Sequence, residues 1–269
     1  MSRLSIFAYG VFSYLVFFAV FLYAIGFIGG FATPTTLDGV PHGPLLQALR
    51  VDLGLLCAFA LQHSGMARPA FKRWFTRIVP EAAERSTYVL LSSLALAALF
   101  AFWEPIGGIV WTAAAGAART SVIAVYLFGW ALLLYTTFLI DHFDLFGLKQ
   151  VWRRLGNKVY RAPVFRTPSL YKLVRHPLYI GWLTIFWAAP TMSSAHLLFA
   201  AVCTAYILVA IRWEEHDLES AFGEVYLDYK GRTPMLVPQP WSRRQPAGVA
   251  PGSGEYPVGA RLASDKSLK

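Results

Sequence analysis

The chain has 269 residues, enough for one or two soluble domains, but it is 56% hydrophobic and only 14% charged, against the ~25% charge usual for soluble globular chains. That balance indicates a membrane protein and excludes a disordered, collagen-like or disulfide-stapled secreted chain. A net charge of +9, from 24 Lys and Arg against 15 Asp and Glu, would suggest nucleic acid in a soluble domain; in a membrane chain it is read first as loop topology. Cys57 and Cys203 both lie in apolar runs, so neither a disulfide framework nor a cysteine metal site is expected.

A spanning helix needs roughly 20 mostly apolar residues, because hydrocarbon offers no partner for free backbone groups. Five segments meet or approach this, at about 5–31, 45–67, 87–103, 121–140 and 196–211. The first is too long for a cleavable signal peptide and no small-residue cleavage pattern follows it. The stretch 178–190 is apolar but short, and together with 196–211 it reads as a helical hairpin turning near 190–194, its first arm short or tilted. The expected fold is therefore an all-α, polytopic membrane bundle of five to six transmembrane segments including a C-terminal hairpin, with a helix beyond it.

Positive residues stay on the cytoplasmic side. With six passes and both termini inside, only Arg50 and Arg119 fall outside, so 22 of the 24 basic residues share one face. The excess charge becomes a membrane-surface feature that attracts anionic lipid headgroups, and nucleic acid is not an expected partner. Residues 1–241 read as one domain. The tail 242–269, rich in Gly, Pro, Ala and Ser and without apolar periodicity, is expected to be disordered.

Ionisable residues at the edge of apolar spans cost free energy, so each is a functional hypothesis. Four clusters qualify: Gln62-His63-Ser64, Asp141-His142-Phe143-Asp144, R-H-P-L-Y-I-G at 175–181, and R-W-E-E-H at 212–216. Each also has an ordinary use, such as an interfacial histidine, a helix end at the headgroups, or Pro177 in a first helical turn. The topology nevertheless puts all four at the cytoplasmic end, which points to one site opening there. In the last cluster Arg212, Glu215, His216 and Glu219 share one helical face, with Glu214 on a neighbouring one.

The pair R-H-P-L-Y-I-G and R-W-E-E-H-D-L-E-S-A-F-G-E-V-Y-L-D-Y (212–229), followed by Pro238, resembles the C-terminal half of the isoprenylcysteine carboxyl methyltransferase-like membrane methyltransferases, a superfamily that includes phospholipid methyltransferases and NnrU-type proteins. Q-H-S-G-M-A-R-P (62–69) and D-H-F-D-L-F-G-L-K-Q (141–150) are similar to the branch of bacterial methanethiol S-methyltransferases. The resemblance implies S-adenosylmethionine (AdoMet) as methyl donor, held on the cytoplasmic side by about 171–241. On matching positions, His176, Tyr179, Gly181, Glu214, Glu215, Tyr226 and Tyr229 would line its pocket. Leu178 stands where other members often have a small residue or Ser. No G-x-G-x-x-G after a strand argues for a soluble dinucleotide fold.

The residue types suit such a ligand. Its carboxylate needs a cationic or backbone donor, its amine an acidic or carbonyl partner, and its sulfonium an aromatic face or carboxylate. Arg175 or Arg212, Glu214 or Glu215, and Tyr179, Tyr226 and Tyr229 supply these. The resemblance further implies methylation of methanethiol, a small volatile thiol, to dimethyl sulfide, in a bacterial inner membrane. A thiol must lose its proton to react, and His142 with Asp141 is the preferred base, His63 the second choice. Methylation of a lipid or isoprenylcysteine-type substrate is the alternative. From other classes, a haem subunit would use His63, His142 and His176 as ligands, and a transporter would place its charges near midplane in paired repeats. No metal is required, and no metal-ligand motif is present.

Overall fold

The computed structural model describes residues 2–160 and 165–239; the tail 242–269 and the domain end at 241 lie outside the described residues. In chain order the elements are α1 (Arg3–Gly29), α2 (Leu45–Ala67), α3 (Pro69–Phe75), α4 (Glu81–Phe102), β1 (Ile109–Thr112), α5 (Ala117–Ile140), α6 (His142–Leu145), α7 (Leu148–Leu155), α8 (Pro177–Trp187), β2 (Thr191–Ser193), α9 (Ser194–Phe222) and α10 (Glu224–Arg232). Five helices, α1, α2, α4, α5 and α9, are long and apolar enough to cross a membrane. The protein is a polytopic membrane helical bundle. Its lipid-compatible surface is visible in exposed side chains such as Phe12, Leu22, Leu61, Phe102 and Phe128, which would be an aggregation hazard in water.

Local chemistry sets the helix ends. Ser2 caps α1, its hydroxyl accepting from Ser5 N at 3.1 Å. Prolines 44, 69 and 80 stand at the starts of α2, α3 and α4, where the missing N–H costs nothing. Helix α4 begins six residues before the span expected at 87. Glu81 and Glu84 in its first turn complement the helix dipole. Arg85 donates to Leu145 O at 2.7 Å and lies 5.0 Å over the Tyr88 ring, so charged residues extend the helix instead of ending it.

The C-terminal hairpin differs from a plain helical pair. Helix α8 has 11 residues, about 16 Å at 1.5 Å each, too short for a ~30 Å hydrocarbon core. Extended chain covers the rest and pairs as β2 antiparallel to β1, with Ile109 opposite Ser193 and Thr112 opposite Thr191. This two-stranded sheet is an addition to the all-α expectation; strands this short carry no periodic signal. Non-helical backbone at such depth must be satisfied by protein. Ala113 N donates to Pro190 O at 2.8 Å, the Trp111 indole to Ala189 O at 3.3 Å, and His196 Nε2 lies 3.0 Å from Phe186 O. The loop after α1 is tied to the same turn, where Asp38 takes the Ser193 hydroxyl and faces His196 Nδ1 at 3.3 Å. Helix α9 then runs 29 residues without a break, well past the expected end at 211.

The core is an aromatic and aliphatic layer that includes Phe27, Phe100, Trp103, Trp130 and Phe199. Helix α5 packs along α8, and α4 lies against both α1 and α2. The α5–α8 contact is set by two glycines. A Cβ on Gly181 would stand 3.1 Å from Leu133 Cα and N, and one on Gly129 would stand 3.1 Å from Ile185 N. Small residues that let backbones approach are the main source of helix association in lipid. Gly181→Val should therefore separate α8 from α5 at a cost of about 2 kcal/mol, read as a lowered melting temperature of the detergent-purified protein.

Candidate active site

At the end of the bundle where α8 starts and α9 leaves the apolar layer, the two C-terminal motifs meet around one carboxylate. Glu215 is buried. Its Oε1 accepts from Arg175 Nε at 2.8 Å and lies 3.0 Å from His176 Nε2, while Oε2 pairs with Lys230 Nζ at 2.9 Å. Lys230 also reaches Glu219 at 2.6 Å, and these two carboxylates raise its pKa. Arg175 Nη1 donates to the carbonyls of Lys230 and Thr233. The backbone joins in, with Arg175 N donating to Pro234 O at 2.9 Å and His176 N to Met235 O at 3.2 Å. Start of α8, end of α9, α10 and residues 233–235 thus form one unit. Lys230 is a member that the sequence reading missed; a lysine in a polar helix carries no sign of its distant partners.

Around this knot the expected cofactor residues separate into groups. The Tyr179 hydroxyl donates to the exposed Glu214 carboxylate at 3.0 Å, and His176 Nδ1 is 3.9 Å from the same carboxylate. Tyr226 is almost completely buried, against Phe165, and its hydroxyl has no hydrogen-bond partner among the described residues; burial raises its pKa, so it remains a phenol. Tyr229 donates to Tyr171 O at 2.6 Å, and burial pushes its pKa up to about 12. Arg175 has its donors taken up inside the knot, Arg212 is exposed, and Gly181 faces α5. Of the stripe expected on α9, Glu215 and Glu219 meet Lys230, whereas Arg212 and His216 point to solvent.

The histidines expected to act as base occupy two different surroundings. His142 Nδ1 lies 2.8 Å from Thr137 Oγ1, whose own proton goes to Leu134 O, so the imidazole donates there. Its Nε2 then accepts from Tyr14 OH at 2.9 Å. The ring is stacked on Phe138 at 4.4 Å and enclosed by Phe143 and Phe146. Burial lowers the His142 pKa, with the Asp141 charge opposing that shift. Asp141 itself has φ +109°, unusual for a residue with a Cβ; it caps α6 through Asp144 N and pairs with Lys149. Gln150 and Tyr160 extend this network to Asp144, the Tyr160 hydroxyl donating at 3.0 Å.

His63 faces the other group. Tyr88 OH is 3.0 Å from Nε2, Ser92 Oγ is 3.3 Å from Nδ1, and Phe59 stacks on the ring at 5.2 Å. Ser64 bonds Tyr206 OH at 2.8 Å, and Gln62 Nε2 donates to Ser92 while its carbonyl oxygen is buried without a partner among the described residues. Through Ser64 and Tyr206 the His63 segment is tied to α9, the helix that carries Glu214, whereas His142 is tied to α1 and α5 through Tyr14 and Thr137. Tyr88, Ser92, Tyr206 and Tyr14 were not singled out from sequence, although hydroxyls inside apolar spans were the available signal. The ring nitrogens of His63, His142 and His176 face protein hydroxyls and carboxylates, which gives the haem reading no support.

The full-length pattern agrees with known proteins. The chain is 49% identical over 238 residues to a methanethiol S-methyltransferase of Crocosphaera subtropica, covering 88% of this chain and 93% of that protein. It is 47% identical over 240 residues to the methanethiol S-methyltransferase of Mycobacterium tuberculosis, covering 89% and 98%. The chain belongs to the methanethiol S-methyltransferase family. Nurim of Sus scrofa is 34% identical over 184 residues, covering 65% of this chain and 69% of that protein. No family model and no solved structure matches the chain.

Two outcomes test the geometry. Replacing Glu215 by Ala leaves Arg175, His176 and Lys230 buried or half-buried without their shared carboxylate, at a cost of about 3 kcal/mol, and should lower the melting temperature sharply, whereas the exposed Arg212→Ala should not. Because burial holds His142 below its ordinary 6.5, its contribution to stability is present above that pH and lost as pH falls. Acid melting curves should show that loss in the wild type, and His142→Asn should remove that component.

Proposed function

We propose that the protein methylates methanethiol to dimethyl sulfide with AdoMet as donor, in a bacterial inner membrane with both termini in the cytosol. The observation that carries this reading is the set of polar contacts by which α2 meets its neighbours, His63 with Tyr88 and Ser64 with Tyr206 of α9, the helix whose Glu214 accepts from Tyr179. Near-full-length similarity to proteins named methanethiol S-methyltransferase supports the substrate, and the 22-of-24 bias of Lys and Arg supports the orientation.

The residues present fit the donor. Glu214 is an exposed carboxylate able to accept from an ammonium group, Tyr179 offers an aromatic face beside it, and the buried Tyr226 hydroxyl has no hydrogen-bond partner among the described residues. When bound, AdoMet supplies an electrophilic methyl group on a sulfonium. Arg175 and Glu215 serve as a clamp that fixes α8 against α9, so that Tyr179 and Glu214 stay paired. His63 accepts the thiol proton at a ring nitrogen, and Tyr88 and Ser92 orient that ring through their hydroxyls. Burial among Phe59 and the apolar spans keeps water away from the thiolate, which is the reactive form. Methanethiol is less acidic than the ~8.5 of Cys, so a positioned base contributes.

Membranes containing the protein, given AdoMet and methanethiol, should release dimethyl sulfide into the headspace; correctly folded protein that releases none would overturn the reading. His63→Asn should lower kcat about 100-fold with AdoMet affinity retained, while His142→Asn should act mainly on stability. Equal kcat losses in both variants at matched folding would return His142 to the chemistry.

A further inference from the structure

A polar cavity lies at the same end of the bundle, between the start of α4 and the α6–α7 segment. Its volume is about 790 Å³, and Lys72, Arg85, Arg154 and Lys158 line it together with Gln150 and Asp144. Arg85 is engaged with Leu145 O, but Lys72, Arg154 and Lys158 make no ion pair among the described residues. A smaller adjoining cavity shares Lys158, Val159 and Tyr160 and adds Lys149 and Arg153. The wall thus offers several cationic donors to a phosphate.

The same wall also asks for a hydrogen-bond donor. Gln150 is buried, its amide nitrogen is directed at Asp144 and Tyr160, and its carbonyl oxygen has no partner among the described residues. Buried acceptors left this way are rare and call for an explanation. Glu81 and Glu84 at the rim add further acceptors. A ligand that carries a phosphate and an N–H-bearing ammonium would satisfy both halves.

The surroundings decide between a soluble and a membrane source. Ile140, Phe143, Trp152 and Val159, next to or within this wall, are all well exposed, Trp152 at 64% and Val159 at 80%. Exposed aromatic and aliphatic groups beside basic ones mark the level of the lipid headgroups. We propose that this cavity is a binding site for a phospholipid headgroup of the phosphoethanolamine type, its phosphate on Lys72, Arg154 and Lys158 and its ammonium on the Gln150 carbonyl and the rim carboxylates. Its lining does not include His63, and the proposal rests on the membrane location of the protein, not on the reaction.

The test is native mass spectrometry of the full chain in detergent with added dioleoyl phosphatidylethanolamine or phosphatidylcholine. The choline headgroup keeps the charge and phosphate but has no N–H. The wild type should retain one phosphatidylethanolamine about tenfold better than phosphatidylcholine. Arg154→Glu with Lys158→Glu, both at exposed positions, should lose binding of either lipid about tenfold at an unchanged melting temperature. Gln150→Leu should bring the two lipids to parity, and His63→Asn should leave lipid binding intact, which separates this site from the proposed chemistry. Equal retention of both lipids by the wild type, or full retention by the double variant, would overturn the proposal. So would displacement by millimolar phosphoethanolamine or AdoMet, which would assign the cavity to a soluble ligand.

Discussion

One buried carboxylate organises the polar end of this bundle. Glu215 stands on the last turns of α9, where the helix has left the apolar layer, and Arg175, Lys230 and the His176 ring converge on it from elsewhere in the chain. A lone buried carboxylate would be expensive; a shared one ties together every segment that donates to it. Through Arg175 and His176 it sets the start of α8, through Lys230 it sets α10, and through the Arg175 guanidinium it fixes the carbonyls of residues 230 and 233. The neighbouring Tyr179–Glu214 pair is then held by a frame that is itself closed. Arg175 joins three segments at once, its Nε on Glu215 and its Nη1 on the carbonyls of Lys230 and Thr233.

The membrane imposes the second constraint. Polar groups inside hydrocarbon must find partners within the protein, and the two histidines near the site answer that demand differently. His142 has both nitrogens matched to hydroxyls and its ring between aromatic faces, so it locks the α5–α6 corner to α1. His63 has both ring nitrogens within reach of the Tyr88 and Ser92 hydroxyls, and the neighbouring Gln62 carbonyl oxygen is buried without a partner among the described residues.

The apolar spans were legible because length and composition alone decide them. The convergence of R-H-P-L-Y with W-E-E-H was legible for the same reason: once the spans are counted, both motifs fall at one end. What the sequence could not show was which members of each motif face each other. Arg175 and Arg212 look equivalent as cations, yet one is enclosed by carbonyls and Glu215 and the other is exposed. Asp141 and His142 are neighbours in the chain, yet the fold gives them different partners: Asp141, at positive φ, caps α6 and meets Lys149, while His142 meets Thr137 and Tyr14. Tyr88 and Tyr206 lie in runs that read as plain lipid-facing helix, and only the packing of α2 with α4 and α9 reveals that their hydroxyls meet the neighbouring His63 and Ser64. The β1–β2 pair was invisible because its order comes from closing the far end of the bundle rather than from its own residues.

The lengths of α2 and α9 act as two matched rulers. His63 is the nineteenth residue of α2 and Glu214 the twenty-first of α9, counted from the end of the bundle opposite the site. At 1.5 Å per residue these positions lie about 28 and 31 Å along their helices, which is the thickness of the hydrocarbon core. His63 therefore reaches the last layer of oil and the Glu214 carboxylate the first layer of water, at nearly the same depth. A gas that partitions into lipid and a charged molecule that cannot enter it have few places to meet, and two helices measured to the width of the bilayer provide one.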